Sequence, residues 1–443
     1  MSPTRRTFLA LAGAAGLSGC SLGSGPNERS PTPQPSPSAT PETDPIQPLQ
    51  EWDGYDPEWT SPEAAPTTAV TTETVVENLE VPWDFEFAPN GDLFISERVG
   101  RVVRIRDGSQ KVVAAPDDVV NASAISAGDE GGWWATGGED GLLGVATPRT
   151  YPNDPYVYVY YTYPDRDAPN GATNRVVRYD TTAKDVTASE EVIIDGIPGN
   201  NFHNGGRIAF GPRGYLWVCC GDGGRDTTAQ DPASLGGKIL RVTPEGRPAP
   251  GNPGFEDNRV FTMGHRNPQG VTWLPDGRAL VTEHGPSARD EVNLLRGGDN
   301  YGWPEARVQE EYEASETFHR PLVNTGGRTW APSGCTFYTG DGLDSWRNRL
   351  VIGCLHGQMV SVVTLAQEGR DVPPNADQSF EGWYDTAFAA VAHFTFEDEL
   401  GRVRYVGQGP DGALYAITSN RDGRAEGDFP KENADRLVRI VAQ

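Results

Sequence analysis

Four segments of the chain share one pattern of positions: a proline, a variable residue and a glycine, then a short hydrophobic run. They are Pro89-Asn-Gly-Asp-Leu-Phe-Ile-Ser, Pro212-Arg-Gly-Tyr-Leu-Trp-Val-Cys, Pro275-Asp-Gly-Arg-Ala-Leu-Val-Thr and Pro410-Asp-Gly-Ala-Leu-Tyr-Ala-Ile. Pro-x-Gly sets a tight turn, and the run after it is a strand that can bury one face. The intervals Pro89 to Pro212 and Pro275 to Pro410 are each close to twice the interval between Pro212 and Pro275. One unit is therefore hidden in each long interval. Pro155-Tyr-Val-Tyr-Val-Tyr-Tyr-Thr162, after Asn153-Asp154, and Asn348-Arg-Leu-Val-Ile-Gly-Cys354, after Gly340-Asp-Gly, lie where that spacing requires. Six units of about 64 residues, built from short strands, predict an all-β fold: a six-bladed β-propeller of four-stranded antiparallel blades over residues 71–443. One blade cannot bury both faces alone, so neighbours build the core. Arg436-Leu-Val-Arg-Ile-Val441 is expected to pair beside Thr72–Val76 and close the ring. The competing reading, a sandwich with coincidental turn similarity, does not explain why the hidden units fall where spacing puts them. Helical periodicity is nearly absent.

Ahead of the repeats the pattern changes twice. Thr4-Arg5-Arg6-Thr7-Phe8-Leu9 is a twin-arginine pattern, and the apolar run from Phe8 to Leu17 is too short to span a bilayer stably. Leu17-Ser-Gly-Cys20 resembles a lipobox, so residues 1–20 read as an export signal with Cys20 lipidated. The mature protein is expected outside the cell, lipid-anchored on the membrane or secreted, touching the membrane only through that anchor. Residues 21–70, rich in Pro, Ser, Thr and Glu, read as a disordered linker. Trp52, Tyr55 and Trp59 near its end are expected to pack back on the domain.

Composition narrows the partners. Asp and Glu number 62 against 37 Lys and Arg, a net charge of −25 among 443 residues. That charge argues against nucleic acid or an anionic membrane surface as a partner, because phosphate binding needs basic patches. It keeps a protein soluble through self-repulsion that salt screens, and a salt-rich habitat fits it. Five cysteines are too few for a disulfide-built fold. Cys219 and Cys220 are adjacent and point to opposite faces of one strand; Cys335 and Cys354 can pair only if their strands are neighbours. Neither Cys-x-x-Cys nor His-Glu-x-x-His occurs, so no structural zinc is expected.

Candidate chemistry gathers in Gly- and Pro-rich loops. His203-Asn-Gly-Gly-Arg-Ile208 leads to a strand-like run that ends at Gly221-Asp-Gly-Gly224. Gly264-His-Arg-Asn-Pro-Gln-Gly270 and Glu283-His-Gly-Pro286 have the same character. One loop histidine more often satisfies backbone groups than does chemistry. Three together, with Asp222 and Arg266 among them, point to a site at the channel mouth, where loops from several blades converge. The candidates there are Glu139, His203, Asp222, Arg266, Asn267, Gly285, Pro286, His356, Arg402 and Arg404. One potential base, several cations and carbonyl-rich loops suit a polyanionic ligand and an oxygen-ligated metal. Arg402 and Arg404 alternate along one strand and share a face, which a surface ladder would also explain.

These stretches carry a resemblance. With Leu79-Glu-Val-Pro-Trp83, Ser96-Glu-Arg-Val-Gly-Arg101, Gly141-Leu-Leu-Gly144, Gly237-Lys-Ile-Leu-Arg241, Asp290-Glu-Val-Asn-Leu294 and Asn300-Tyr-Gly-Trp-Pro304, the chain from about residue 72 onward resembles the soluble PQQ-dependent aldose sugar (glucose) dehydrogenases. The resemblance implies a six-bladed propeller with PQQ at the channel mouth and a calcium ion bridging to it. It implies that His203 takes the proton of the anomeric hydroxyl while hydride passes to PQQ, and that Asp222 orients this histidine. It places Arg266 beside the quinone oxygens, Asn267 as a further cofactor contact, and the carbonyls of Gly285 and Pro286 on calcium. Arg402 and Arg404 match partners of the cofactor carboxylates, and Glu139 stands near the substrate. His356 stands where the family has a lysine, and the segment between Trp303 and Trp330 is short where the glucose enzyme carries an insertion. The implied reaction is oxidation of an aldose at C1 to the lactone, with electrons passed to an external acceptor. Two other readings of the scaffold are a calcium-dependent lactonase or other hydrolase, which needs several carboxylate or amide ligands deep in the channel, and a non-catalytic propeller that binds a glycan or protein.

Overall fold

A computed structural model describes residues 47–120, 138–431 and 433–443. The expected export segment, with Arg5, Arg6 and Cys20, lies outside the described residues. The strands form six separate antiparallel sheets. The innermost strands, Pro82–Phe87, Leu142–Ala146, Gly205–Phe210, Pro268–Trp273, Pro332–Tyr338 and Val403–Gln408, touch one another in a closed ring. This is the six-bladed propeller that the repeat predicts. All four Pro-x-Gly turns join an innermost strand to the second strand of its blade, and so do the two hidden units at 155 and 348.

The turn chemistry explains the repeat. Gly91, Gly214, Gly277 and Gly412 have φ of 87°, 79°, 88° and 74°, a region that glycine enters without the Cβ penalty. Each turn is closed by backbone bonds, such as the Ala88 N–H to the Asp92 carbonyl at 2.8 Å. The strand that follows is buried on both sides, because each sheet is covered by its neighbours. Cys219 faces one inter-blade cluster, with Ile239 and Val271, and Cys220 the other, with Ile208 and Leu240.

The ring closes as expected: Val70–Val76 pairs with Leu437–Ala442, with Thr72 opposite Ile440. Two details differ from the sequence reading. The blade that starts at Pro332 has a fifth strand, Gln378–Phe380, while the other five have four. Residues 47–69, assigned by composition to the linker, run along the turn-bearing end of the propeller. The Asp56 N–H donates to the Pro275 carbonyl at 3.0 Å, Asn348 donates to the Thr60 carbonyl at 2.9 Å, and Trp59 is buried against Phe337. A Pro-rich stretch of extended backbone docks well when turns supply its hydrogen-bond partners. Trp52 and Tyr55 are half-buried. The strands of Cys335 and Cys354 are paired neighbours, yet all four described cysteines are buried free thiols.

Candidate active site

Chain direction decides where function gathers. In every blade the first strand runs away from one end of the propeller, turns at the far end, and the second strand returns. Loops before first strands and after second strands therefore collect at the near end. Glu139, His203, Arg266, Asn267 and Arg402 precede first strands; Asp222, Gly285, Pro286 and His356 follow second strands; Arg404 lies on the first strand Val403–Gln408. The fold thus carries all ten candidates to one mouth.

His203 and Asp222 form a dyad. His203 Nδ1 lies 2.9 Å from Asp222 Oδ1. The same carboxylate accepts the Gly224 N–H at 2.7 Å and the Trp303 indole N–H at 2.9 Å. Because Asp222 faces Nδ1 as an acceptor, the network assigns the ring proton to Nδ1 and leaves the lone pair on Nε2. The backbone makes the approach possible. A Cβ on Gly221 would collide with the carbonyl oxygen of His203, so glycine is required where the two loops cross. His203 itself has φ +57°, in the left-handed region that a non-glycine residue seldom enters.

A cavity of about 440 Å³ lies next to the dyad through Glu139, which lines it and accepts the His203 N–H at 3.0 Å. Glu139, His356, Arg402, Arg404, Asp422 and Arg424 line it. Arg402 and Arg404 are buried, so they are not a surface ladder; both donate to Asp422 Oδ2, at 2.8 and 3.2 Å. Burial pushes the Asp422 carboxyl up, but Arg402 and Arg404 outweigh it and hold it below the usual range. Burial would likewise raise Glu139, yet Arg424, with His284 and His203, brings it down to about 2. His356 is half exposed, 3.8 Å from Glu426. His284 is forced down to about 3, first by burial and then by Arg404, Arg266 and His203. It is therefore neutral; its Nδ1 faces the Asn267 amide nitrogen at 3.4 Å, which leaves the proton on Nε2.

The side chains fit a carboxylate-bearing quinone. Nε of Arg404, Nε of Arg266 and Nε2 of His284 are buried donors without a protein partner. Buried donors are normally satisfied, so such a set at a cavity wall suits a ligand rich in acceptors. The fit to calcium is narrower. Gly285 and Pro286 line a cleft beside the cavity, but the Gly285 carbonyl accepts from Arg266 Nη1 at 2.9 Å. Among the described residues no group of three His, Cys, Asp or Glu side chains is placed to hold a metal. Calcium takes 6–8 oxygens, roughly, so ligand and water would have to supply most of them.

Some expected contacts serve the protein instead. Asn267 is wholly buried; its oxygen accepts the Gly205 N–H at 3.0 Å and its nitrogen donates to Glu139 at 3.3 Å. Arg266 rests on the carbonyls of His284 and Gly285 and over the Trp303 ring, 5.2 Å from its centroid. His265 is a core histidine, 3.0 Å from Glu283 and stacked on Tyr301. Sequence reasoning missed Asp422, Arg424 and Asp290. Asp290 fixes the metal-candidate loop by accepting from Gly285 N at 2.9 Å and Trp330 N at 2.7 Å. Asp422 and Arg424 had a signal: they follow the second strand of the last blade, as Asp222 follows that of the third.

Comparison with known proteins gives the same assignment independently. The family model described as Glucose / Sorbosone dehydrogenase matches residues 79–427. The aldose sugar dehydrogenase YliI of Escherichia coli is 29% identical over 381 residues, covering 81% of this chain and 92% of that protein. Quinoprotein glucose dehydrogenase B of Acinetobacter calcoaceticus is 29% identical over 261 residues, 52% of each. The solved PQQ-bound aldose sugar dehydrogenase of Streptomyces coelicolor is 32% identical, with a TM-score of 0.67 over 87% of this chain and 100% of that one. With its family match spanning all ten mouth residues, the chain belongs to the glucose/sorbosone dehydrogenase family of oxidoreductases.

Proposed function

We propose that the protein oxidises aldose sugars at C1 to the lactone, with PQQ in the mouth cavity, and passes the electrons to an external acceptor. One observation carries the reading: a His203–Asp222 pair at 2.9 Å, joined through Glu139 to a cavity walled by arginines. The PQQ-bound and quinoprotein relatives support the cofactor. Bound there, PQQ would supply the two-electron acceptor for the hydride that leaves C1. The chain's own groups do the rest. As hydride leaves C1, its hydroxyl proton passes to His203 Nε2 and the C1–O bond becomes a carbonyl. Asp222 holds the ring and stabilises the imidazolium that forms. The sugar thus loses two electrons and two hydrogens, one as hydride and one as a proton. Arg266, whose Nε is without a protein partner, would be a donor for negative charge developing on the quinone oxygens. Arg402, Arg404, Arg424 and His356 are partners for its carboxylates. Phe202, 37% exposed and edge-on to the His203 ring at 4.8 Å, offers an apolar surface to the sugar's C–H face.

Calcium belongs to the same proposal. The carbonyls of Gly285 and Pro286 would hold it, with other oxygens from cofactor and water, once Arg266 releases Gly285. The twin arginines and Cys20 support an exported, lipid-anchored protein.

The test is His203→Gln, which keeps a polar side chain but no base. kcat on any accepted sugar should fall about 10²–10⁴-fold, and melting temperature and PQQ affinity should hold. That loss corresponds to about 3–5 kcal/mol of transition-state stabilisation. A folded, PQQ-binding variant that turns over sugar within about threefold of the parent removes His203 from the reaction.

A further inference from the structure

Glu139 was expected near the substrate, and both oxygens of its carboxylate already have partners within the protein. Oε1 is 2.5 Å from Arg424 Nη1. Oε2 accepts the backbone N–H of His203 at 3.0 Å and the amide of Asn267 at 3.3 Å. The two loops are also joined by the Glu139 N–H to the Asn201 carbonyl at 2.8 Å. His203 stands in the left-handed region at φ +57°, and its backbone N–H takes its partner from outside its own loop. Glu139 is that partner. Arg424 comes from the opposite end of the chain, and its own N–H is fixed by Asp422 Oδ1 at 3.1 Å. Asp422 in turn holds Arg402 and Arg404. A continuous set of bonds therefore runs from the arginines of the anion site, through Asp422, Arg424 and Glu139, to the backbone of the base.

We infer that Glu139 is a positioning residue, not a sugar contact: braced by Arg424, it holds the left-handed backbone of His203 and so aims the imidazole. This rests on the proposed role of His203 as base. A substrate contact predicts that loss of Glu139 raises KM; a positioning role predicts loss of kcat and release of the His203 amide.

The experiment compares Glu139→Gln and Glu139→Ala in the full chain. Amide hydrogen exchange is read in the cofactor-free protein, and sugar kinetics after loading with PQQ. In Glu139→Ala the His203 amide should exchange at least about tenfold faster, and kcat should fall at least about tenfold with sugar KM within about threefold. Glutamine can still offer an oxygen to the His203 N–H, so Glu139→Gln should restore amide protection and most of kcat. If Glu139→Ala does not fold, Arg424→Ala reports on the same brace in the cofactor-free protein, where faster exchange of the His203 amide is expected and unchanged protection overturns the inference. A Glu139→Ala protein whose His203 amide stays protected, or whose KM rises about tenfold at retained kcat, overturns the inference. Failure of the parent to oxidise any aldose would defeat the sugar-dehydrogenase reading, and the exchange result would still decide the role of Glu139.

Discussion

Two glutamates are driven in opposite directions by what faces them. Glu139 sits among Arg424 and two histidines and falls to about 2. Glu86, on the innermost strand Pro82–Phe87 and bonded to Thr147 Oγ1 of the next blade at 3.2 Å, is pushed up to about 8 by burial and by Asp84, which outweigh the hydrogen bonds from Thr147. A folded pKa above the ordinary one means that the native state binds more protons than the unfolded chain between the two values. Stability is therefore lost as pH rises from about 4.5 to about 8. Glu86→Gln should remove that loss: its melting temperature relative to the parent should climb across this range, and a constant difference would show that Glu86 does not titrate there. Arg266 poses the matching question for metal. It occupies the Gly285 carbonyl that calcium would need. Exhaustive chelation should weaken PQQ binding and activity together, and added Ca²⁺ should restore both. Full activity after chelation, with no calcium found by elemental analysis, rules the ion out.

Among the elements, the stretch 47–69 behaves least as its composition suggests. It joins the turn-bearing ends of successive blades: Leu49 packs on Gly277, Asp56 bonds Pro275, Thr60 accepts from Asn348 and Thr68 bonds Ser345 at 2.6 Å. Its anchor is Trp59, 5% exposed, with ring centroids 5.0 Å from Phe337 and 6.0 Å from Phe388. Truncating a buried tryptophan typically costs about 3–5 kcal/mol. Trp59→Ala should lower the urea midpoint accordingly and leave PQQ affinity unchanged, because the stretch lies at the end opposite the mouth. A change in affinity without loss of stability would contradict this. The repeat strands were legible because Pro-x-Gly and the run after it act locally. The docked stretch was not, since its partners are turns hundreds of residues away.

For the whole molecule, closure of the ring by Val70–Val76 against Leu437–Ala442 makes both ends of the domain part of one sheet. Loss of either end exposes the other's strand edge. The net charge of −25 and the proposed anchor concern the protein's surroundings. Replacing Cys20 by Ser should move the mature protein from the membrane fraction to the medium. A Cys20→Ser protein that stays with the membrane shows that Cys20 is not the anchor.

Turn chemistry and strand alternation are local, so the number of blades, their boundaries and the ring closure could be read from residue order. The same holds for the loops that carry His203, Asp222, Arg266 and Arg402, because in a repeat each loop has a known place relative to its strands. Which atoms of those loops meet could not be read. That Glu139 is spent on His203 and Arg424, that Asn267 is a buried brace, and that Asp422 joins Arg402 to Arg404 depend on contacts between residues as far apart as 285 positions. Those pairings are set by blade packing and by the direction in which each loop crosses the mouth. Neither has a signature in the order of neighbouring residues, and so the three-dimensional arrangement alone settles them.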